Sequence, residues 1–288
     1  MSKYILYRYQ FSPIHNNEHD LFLSSETIAS DEELMQNKQE LFASIFDNEN
    51  IAFVKEKKCY NHKLLFKEGG FIIFKIAKDK SVNLEEDFTI HKHEYSPSCN
   101  VIIDNRKDVQ YIAIEEKSNV FNKVDNVAKI LKCTFLSYLQ GYRLSIDIKR
   151  VYDVKDFWSV VEENRDKIEK IRFQFSYPNL PNLNRRVKEA IAEVAKSTTS
   201  GKSELTFEAA KGQTLRISEE DPNLRPLVQM SADGGEEIMI KTKKIWVKIG
   251  KNSKSFSIDN LDSILDKGND LFNKVTDQIA DFFNKLFR

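Results

Sequence analysis

Asp104 and the run Glu115-Glu116-Lys117 have the residue types that a metal-dependent nuclease uses. In restriction-type nucleases such a pattern supplies two carboxylates that hold Mg²⁺ and a lysine that steadies the attacked phosphate. Two β-type runs, 101–103 and 109–114, flank a polar turn, so we expect Asp104 at the turn and Glu115 at the far end of the second strand. At ~3.3 Å per residue the two carboxylates would be roughly 23 Å apart, too far to share one ion. The sequence therefore favours a turn aspartate, and a metal-dependent nuclease is kept as an alternative.

His15 and His19 enclose Asn16-Asn17-Glu18 in an H-x-x-E-H pattern. Some zinc proteases carry this pattern on a helix, where both histidines share one face. Here the stretch follows Pro13 and is almost wholly polar, so the sequence indicates a solvated loop.

His91 and His93 would point to one face of a strand. A zinc site would need a third ligand, for which Cys59 or Cys99 is available. No Cys-x-x-Cys or Cys-x-x-His pair supports such a site, and there is no G-x-S-x-G nucleophile motif. We therefore expect no metal, no cofactor and no catalytic residue, and an enzyme is less expected than a binding protein.

A basic stretch near the end of the chain is the strongest signal for binding. On a strand at 245–249, Trp246 and Lys248 would share the outer face, while Ile245, Val247 and Ile249 would point inward. Lysines beside an exposed aromatic ring can follow a phosphate backbone, with an affinity that falls as salt rises. The six lysines between 241 and 254 are Lys241, Lys243, Lys244, Lys248, Lys251 and Lys254.

Arg185 and Arg186, which open a helix expected over 183–198, would extend this basic surface. The alternative interpretation is structural, because lysines also protect the edge strand of a sheet from aggregation. Nucleic acid is therefore the expected partner of the basic stretch, and a solvated edge hairpin is the competing explanation.

The composition indicates a globular protein with few glycines. Hydrophobic residues make up 41% of the 288 residues, and the 44 basic and 44 acidic residues balance. Neither of the Gly-rich phosphate-binding patterns, GxxxxGK[ST] and GxGxxG, is present. Three scattered cysteines fit a reducing compartment, and no apolar run is long enough for a membrane span. We expect a cytoplasmic protein.

The elements alternate between hairpins and helices rather than in βαβ units, which predicts an α+β fold with mostly antiparallel sheets. Ser30 is a predicted helix N-cap, and Glu68-Gly69-Gly70 predicts a hairpin turn. The central unit is predicted as a hairpin, a helix over 119–139 with Gly141 at its C-terminal cap, and a strand with Leu144 and Ile146 inward. Further strands are expected near residues 4–12, 63–66, 71–76, 88–94, 171–176, 205–209, 214–217, 238–240, 245–249 and 256–258, and further helices near 155–166 and 222–230.

Two lobes and a tail are the predicted domain organisation. The N-terminal α+β lobe covers 1–150, and the C-terminal α+β lobe with the basic hairpin covers 151–260. The tail, 261–288, is predicted to contain an amphipathic helix at about 269–287 whose apolar face packs on the body, on a second copy or on a partner protein. An acidic segment, 14–50, carries nine acids and one lysine. A module that docks a partner effector through this segment and the tail is a second alternative function.

Three segments carry a resemblance to a known group of proteins: YILYRYQF at 4–11, VIIDNRKDVQYIAIEEKSNVF at 101–121, and IRFQFSYPN with LTFEAAKGQTLRIS between 171 and 218. Their order resembles Rex-type phage-exclusion sensors and uncharacterised phage-defence-associated prokaryotic proteins. The resemblance implies a dimeric, DNA-binding sensor rather than a catalyst. With the basic stretch, it leads us to expect a non-enzymatic nucleic-acid-binding component of antiphage defence.

Overall fold

The computed structural model describes residues 2–14, 30–47, 51–107, 109–176, 202–234, 238–243, 245–249 and 252–258, with residues 189, 193–194, 197–198, 200, 236, 261, 277 and 279–281. The chain divides into two compact units. Unit 1 comprises residues 1–148 and 255–288, and unit 2 comprises residues 149–254. The fold is α+β, as predicted, with antiparallel hairpins and helices in both units.

Unit 1 is built on a seven-stranded sheet in which β10, β1, β9, β8, β5 and β4 are neighbours in that order and β15 also pairs with β1. The long first strand therefore pairs with three others: β9, β10 and β15. The strands are β1 (Ser2–Pro13), β4 (His62–Glu68), β5 (Phe71–Ala77), β8 (Ser98–Asp104), β9 (Tyr111–Glu115), β10 (Leu144–Arg150) and β15 (Ser255–Ile258). Two short strands, β2 (Phe53–Lys55) and β3 (Lys58–Tyr60), pair separately.

Alternation along β1 sends Ile5, Tyr7, Tyr9 and Phe11 to the main core of unit 1. The intervening residues of β1 are buried as well, including Arg8. A strand that is buried on both faces typically has a continuous run of apolar residues in its sequence, as Val101–Ile103 does. The strands β1, β8 and β9 are thus buried along most or all of their length.

Two helices cover the main core: α1 (Asp31–Ser44) and α2 (Val124–Leu139). Ser30 caps α1 as predicted, because its side chain accepts a hydrogen bond from the Glu33 amide at 3.2 Å. The second helix begins later than the predicted residue 119. Gly141 lies within a short 3₁₀ turn, and the left-handed residue that ends this region is Arg143 with φ +56°. The prediction of Gly141 as the cap was therefore wrong.

A separate two-stranded hairpin belongs to unit 1: β6 (Lys80–Glu86) with β7 (Thr89–Tyr95). The sequence predicts β7, as a strand near residues 88–94, but it does not predict β6. Among the described residues, neither strand pairs with any other sheet. We refer to residues 78–96 as the arm.

Unit 2 contains a four-stranded sheet in the order β12, β11, β13, β14. These strands are β11 (Ile168–Ser176), β12 (Lys202–Glu208), β13 (Ile238–Thr242) and β14 (Trp246–Ile249). Two helices, α3 (Val154–Glu163) and α4 (Leu224–Asp233), contribute to the same buried cluster as the sheet. None of the helices in the described part of the chain is long and apolar enough to cross a membrane.

One strand assignment from the sequence was wrong, and one predicted strand lies in a different unit from the one expected. Residues 214–217 are not a strand, and β12 pairs with β11 instead. Residues 256–258 do form a strand, but β15 pairs with β1, so this segment lies in unit 1 rather than in the predicted lobe 151–260. Most of the predicted helix 183–198 and most of the tail helix fall outside the described residues, although residues 189, 193–194, 197, 277 and 279–281 are helical.

Candidate nucleic-acid interface

The four-stranded sheet of unit 2 has one covered face and one open face. Ile171 and Phe173 of β11 point to the covered face, where they belong to the same buried cluster as Val228 of α4. The intervening Lys170 and Arg172 therefore point to the opposite face. The described side chains on that face are half-buried or exposed.

Strand register brings basic residues into two adjacent rows across the open face. In the first row, Lys170 lies opposite Lys241, which lies opposite Trp246. In the next row, Arg172 and Lys248 are separated by a single strand. Side chains opposite each other in an antiparallel pair have Cβ atoms about 5 Å apart. We name these five residues the open-face patch: Lys170, Arg172, Lys241, Trp246 and Lys248.

Trp246 is the aromatic centre of the open-face patch. Its side chain is 40% exposed, and the Arg172 guanidinium carbon lies 5.2 Å from the centroid of the indole ring. This distance is within the range of a cation–π contact. The guanidinium thus lies over the indole ring, while a substantial part of Trp246 remains exposed.

Acidic residues partly offset the charge of the patch, mainly on the side of β12. These pairs are partly or largely exposed, and such pairs contribute about 0–1 kcal/mol, so a polyanion can compete with them. On the side of β13 and β14, the charged residues described on this face are Lys241 and Lys248, beside the indole. The pairs are Lys170 with Glu208 (Nζ–Oε2, 2.8 Å), Arg172 with Glu204 (Nε–Oε2, 3.6 Å) and Lys241 with Glu169 (Nζ–Oε2, 3.9 Å).

Glu208 remains ionised over a wider pH range than an isolated glutamate. The hydrogen bond from Lys170 lowers the pKa of its carboxyl group, and the charge of Lys170 acts in the same direction. The pairing therefore keeps a negative charge on β12, the outer strand of the sheet.

The structure gathers three of the nine predicted binding residues on one face: Lys241, Trp246 and Lys248. Lys243 is exposed in the connection between β13 and β14. Four further predicted residues, Lys244, Lys251, Arg185 and Arg186, lie outside the described residues.

Lys254 does not belong to this face. Its backbone amide donates to Val151 O, and its Nζ lies 3.7 Å from the carboxylate of Asp233 at the end of α4. The expectation of one ribbon of six lysines was therefore wrong for this residue, because a carboxylate on the helix side of the sheet binds it. Ile245 was also expected to point inward and is 61% exposed, since β14 begins only at Trp246.

Lys170 and Arg172 were missed from the sequence. The alternation of Ile171, Phe173 and Phe175 predicts their outward orientation. It does not predict which strand lies beside them, and that neighbour, β13, brings them to Lys241 and the indole. The signal available in the sequence was a second strand with basic residues at its outward positions.

The geometry does not support the predicted nuclease site. Asp104 is fully buried, and both its oxygens accept from the Arg106 guanidinium, at 2.9 and 2.6 Å. Asp104 lies opposite Tyr111 in the sheet, and Glu115 is four residues further along β9. The two carboxylates are therefore about 13 Å apart rather than 23 Å, still too far for one ion.

Glu115 also has partners within the sheet. One carboxylate oxygen accepts from the backbone and side-chain amides of Asn100 at 2.9 and 3.0 Å and lies 3.1 Å from Lys117 Nζ. The carboxylates of Asp104 and Glu115 thus already have hydrogen-bonding partners within the protein. They serve to balance charge inside the sheet.

The predicted pair of histidines does share one face of a strand, since His91 and His93 lie opposite Leu84 and Val82. Both histidines are exposed, whereas Cys99 is buried in unit 1. No group of three or more potential metal ligands occurs among the described residues. His15 and His19 lie outside the described residues.

Comparison of the chain with models of known protein families gives no match, and a search of curated proteins gives none either.

Proposed function

We propose that the open-face patch binds single-stranded nucleic acid without strong sequence preference. Trp246 would stack on a base, and Lys170, Lys241 and Lys248 would contact phosphates. The observation that carries the proposal is the exposed indole, held by Arg172 at 5.2 Å, with Lys241 beside it on the same sheet face. Aromatic side chains in a positively charged groove are the usual means of binding single strands.

A single strand suits this surface better than a duplex. The bases of a duplex are stacked on one another, so an indole on a sheet face reaches a base only when that base is free. A stacked base also needs no sequence-specific hydrogen bond. Acids are concentrated on β12, so the strand would run along the β13–β14 side, near Lys243.

The test is a fluorescence-anisotropy titration of a labelled twelve-nucleotide oligo(dT) at several salt concentrations. The variant Lys241→Gln/Lys248→Gln removes two charges from the patch. The matched control, Lys155→Gln/Arg225→Gln, removes two exposed charges from α3 and α4, which cover the other face of the sheet. Circular dichroism confirms that each variant is folded.

We expect the patch variant to bind more weakly and the control to bind like the wild type. For a single strand, the slope of log K against log salt is about −0.7 per phosphate contacted, so losing two contacts should reduce it by about 1.4. Equal slopes for the patch variant and the control, or no binding by the wild type, would contradict the proposal. Tighter binding to a duplex of equal length would contradict the preference for a single strand.

The resemblance in layout to phage-exclusion sensors gives the proposal its biological setting. We propose that nucleic acid produced during phage infection is what the open-face patch senses, and that the protein acts by binding rather than by catalysis. In a strain that gains phage resistance from this protein, Trp246→Ala should lower the resistance. If a variant with an inactive open-face patch keeps full phage resistance, the defence role does not depend on nucleic-acid binding.

A further inference from the structure

The helical cover of the unit 2 sheet is incomplete beside β12. Phe207 of β12 lies opposite Ile171 in the register, so both side chains point to the covered face. Ile171 is 1% exposed, whereas Phe207 is 41% exposed. A cleft with a volume of about 190 Å³ is lined by both residues. We name it the β12 cleft.

Most of the lining of the β12 cleft is apolar. The apolar side chains come from β11, from β12, from the connection between β12 and α4, and from α4 itself. They are Ile171, Phe207, Leu215, Ile217, Leu224 and Leu227. An apolar cavity of about 150 Å³ can hold a benzene molecule. The cleft therefore has room for one apolar group of the size of a leucine or phenylalanine side chain.

Main-chain hydrogen bonds fix the wall of the cleft that the connection between β12 and α4 forms. The Ala209 amide donates to Glu169 O and the Leu215 amide donates to Ile168 O, both at 2.8 Å. Leu215 and Ile217 also pack against the buried cluster of unit 2. The cleft is therefore formed before a ligand binds, as is usual for small-molecule sites.

Two residues of opposite charge, Arg216 and Asp221, also line the β12 cleft. They do not pair with each other, and within the described part of the chain Arg216 has no acidic partner. Asp221 Oδ1 accepts from the amides of Asn223 and Leu224 at 2.8 and 3.2 Å, at the start of α4. Its Oδ2 has no hydrogen-bonding partner among the residues that the structure describes. Both charges can therefore receive a ligand.

This combination is complementary to a ligand that is apolar and zwitterionic at once. A free α-amino acid with an apolar side chain carries an ammonium and a carboxylate on the same carbon. Its carboxylate would accept from the Arg216 guanidinium and its ammonium would donate to Asp221, and such charge-assisted hydrogen bonds are stronger than neutral ones. A fatty acid would leave Asp221 without a partner, and an apolar amine would leave Arg216 without one.

We propose that the β12 cleft binds a free apolar α-amino acid of the size of leucine or phenylalanine. The side chain of the amino acid fills the apolar part of the cleft beside Phe207. For an aromatic amino acid the ring of Phe207 adds a favourable aromatic contact. The cleft lies on the face of the sheet opposite the open-face patch, so the proposal does not depend on nucleic-acid binding.

The experiment that tests the proposal is a ligand-observed NMR titration of the full chain with three related compounds. These are L-phenylalanine, 3-phenylpropionate, which lacks the ammonium, and phenethylamine, which lacks the carboxylate. We expect L-phenylalanine to bind, and each analogue to bind at least about tenfold more weakly, because each loses one hydrogen bond to a charged group.

Two variants assign the two charges separately. Arg216→Gln should weaken binding of L-phenylalanine by at least about tenfold and leave binding of phenethylamine unchanged. Asp221→Asn keeps an oxygen for the amides of α4, so it should weaken L-phenylalanine similarly and leave 3-phenylpropionate unchanged. The matched controls are Arg225→Gln and Glu220→Gln, which remove exposed charges outside the described lining and should leave all three affinities unchanged.

Equal binding of the three compounds to the wild type would show an apolar cleft only and would overturn the proposal. No binding of L-phenylalanine, or equal losses in the variants and their controls, would overturn it as well. Tighter binding of L-phenylalanyl-glycine than of L-phenylalanine would assign the cleft to the end of a peptide chain instead. Oligonucleotide binding is measured separately, since these variants leave the open-face patch unchanged.

Discussion

The Arg172 guanidinium reaches across β13 to lie 5.2 Å from the centre of the Trp246 ring, and Arg172 Nε also lies 3.6 Å from a carboxylate oxygen of Glu204. One cation thus connects the acidic β12 with the aromatic β14. Arginine suits this position because its planar group can stack on a ring and face a carboxylate at the same time. The contact orders the indole before any ligand arrives.

Trp246→Ala should weaken binding of oligo(dT) by about 5- to 150-fold, because stacking contributes about 1–3 kcal/mol per base. Trp246→Phe should restore most of the affinity, since it keeps an aromatic face. The free energy of unfolding, measured in urea, should change little, because the side chain is 40% exposed. An equal loss of affinity with Phe and with Ala would show that stacking is not the source of the binding.

Arg172→Lys tests the ordering of the indole. The charge is kept, but the flat stacking group is lost, so we expect weaker binding with an unchanged salt slope. An exposed cation–π contact is worth about 0.5–1 kcal/mol, which predicts a loss of about two- to fivefold. Titration of oligo(dT) at two salt concentrations measures both quantities. A changed slope with full affinity would assign Arg172 to a phosphate instead.

Local signals in the sequence predicted much of this structure. Ser30 caps its helix through a contact three residues away, and Gly69 and Gly70 adopt positive φ values in the turn between β4 and β5. Both features depend on neighbouring residues alone, so residue type and spacing are sufficient to predict them.

Features that depend on distant partners were not predictable in this way. The ion pair of Lys254 with Asp233 spans two elements, and Phe256 stacks on Tyr4 at the start of the chain, with ring centroids 5.5 Å apart. The first strand of the arm was missed because Lys80–Glu86 contains only two apolar residues and ends in Asp87-Phe88, a turn with no glycine. The open-face patch combines residues of three strands. Which residues meet there depends on the register of these strands, and no single segment of the sequence specifies that register.

Arg106→Ala should destabilise unit 1 more than it changes any binding property. Asp104 is fully buried, and its charge is balanced by the Arg106 guanidinium, whose Nε and Nη2 donate to the two carboxylate oxygens. Removing one partner of a buried pair typically costs about 3–5 kcal/mol, because the remaining charge lacks compensation. Urea unfolding measures the loss, and Arg165→Ala, which removes an exposed pair with Glu162, is the control and should cost less than about 1 kcal/mol. Similar costs for the two variants would show that the buried pair contributes no more than a surface pair.

Cys99 should be unreactive in the folded protein, although the chain contains two exposed cysteines. Burial, with the nearby charge of Glu115, raises the pKa of its thiol to about 12. Reaction with Ellman's reagent at pH 8 should therefore show two fast thiols, Cys59 and Cys133, and a third only after unfolding. Three fast thiols in the native protein would mean that the start of β8, where Cys99 lies, opens readily.

The stability of unit 1 should fall at alkaline pH, for a reason that lies in its core. Burial raises the pKa of Tyr9 well above its usual value, and the nearby carboxylate of Asp104 raises it further. The folded state therefore holds the phenol proton more tightly than the unfolded state. The corresponding stabilisation is complete below about pH 10 and is lost as the pH rises above that value.

Tyr9→Phe tests this directly, because it keeps the ring and removes the proton. The Tyr9 hydroxyl donates to Asn105 Oδ1 at 2.6 Å, so the variant should be less stable at pH 8 by about 1–3 kcal/mol. Its stability should decline less steeply than that of the wild type between pH 10 and 11.5, since the phenol no longer titrates. Urea unfolding at intervals of half a pH unit measures both curves. If the stabilities of the two proteins decline in parallel, the alkaline loss of stability comes from other groups. One such group is the Cys99 thiol, whose pKa is also raised, and Cys99→Ala in the same series tests its contribution.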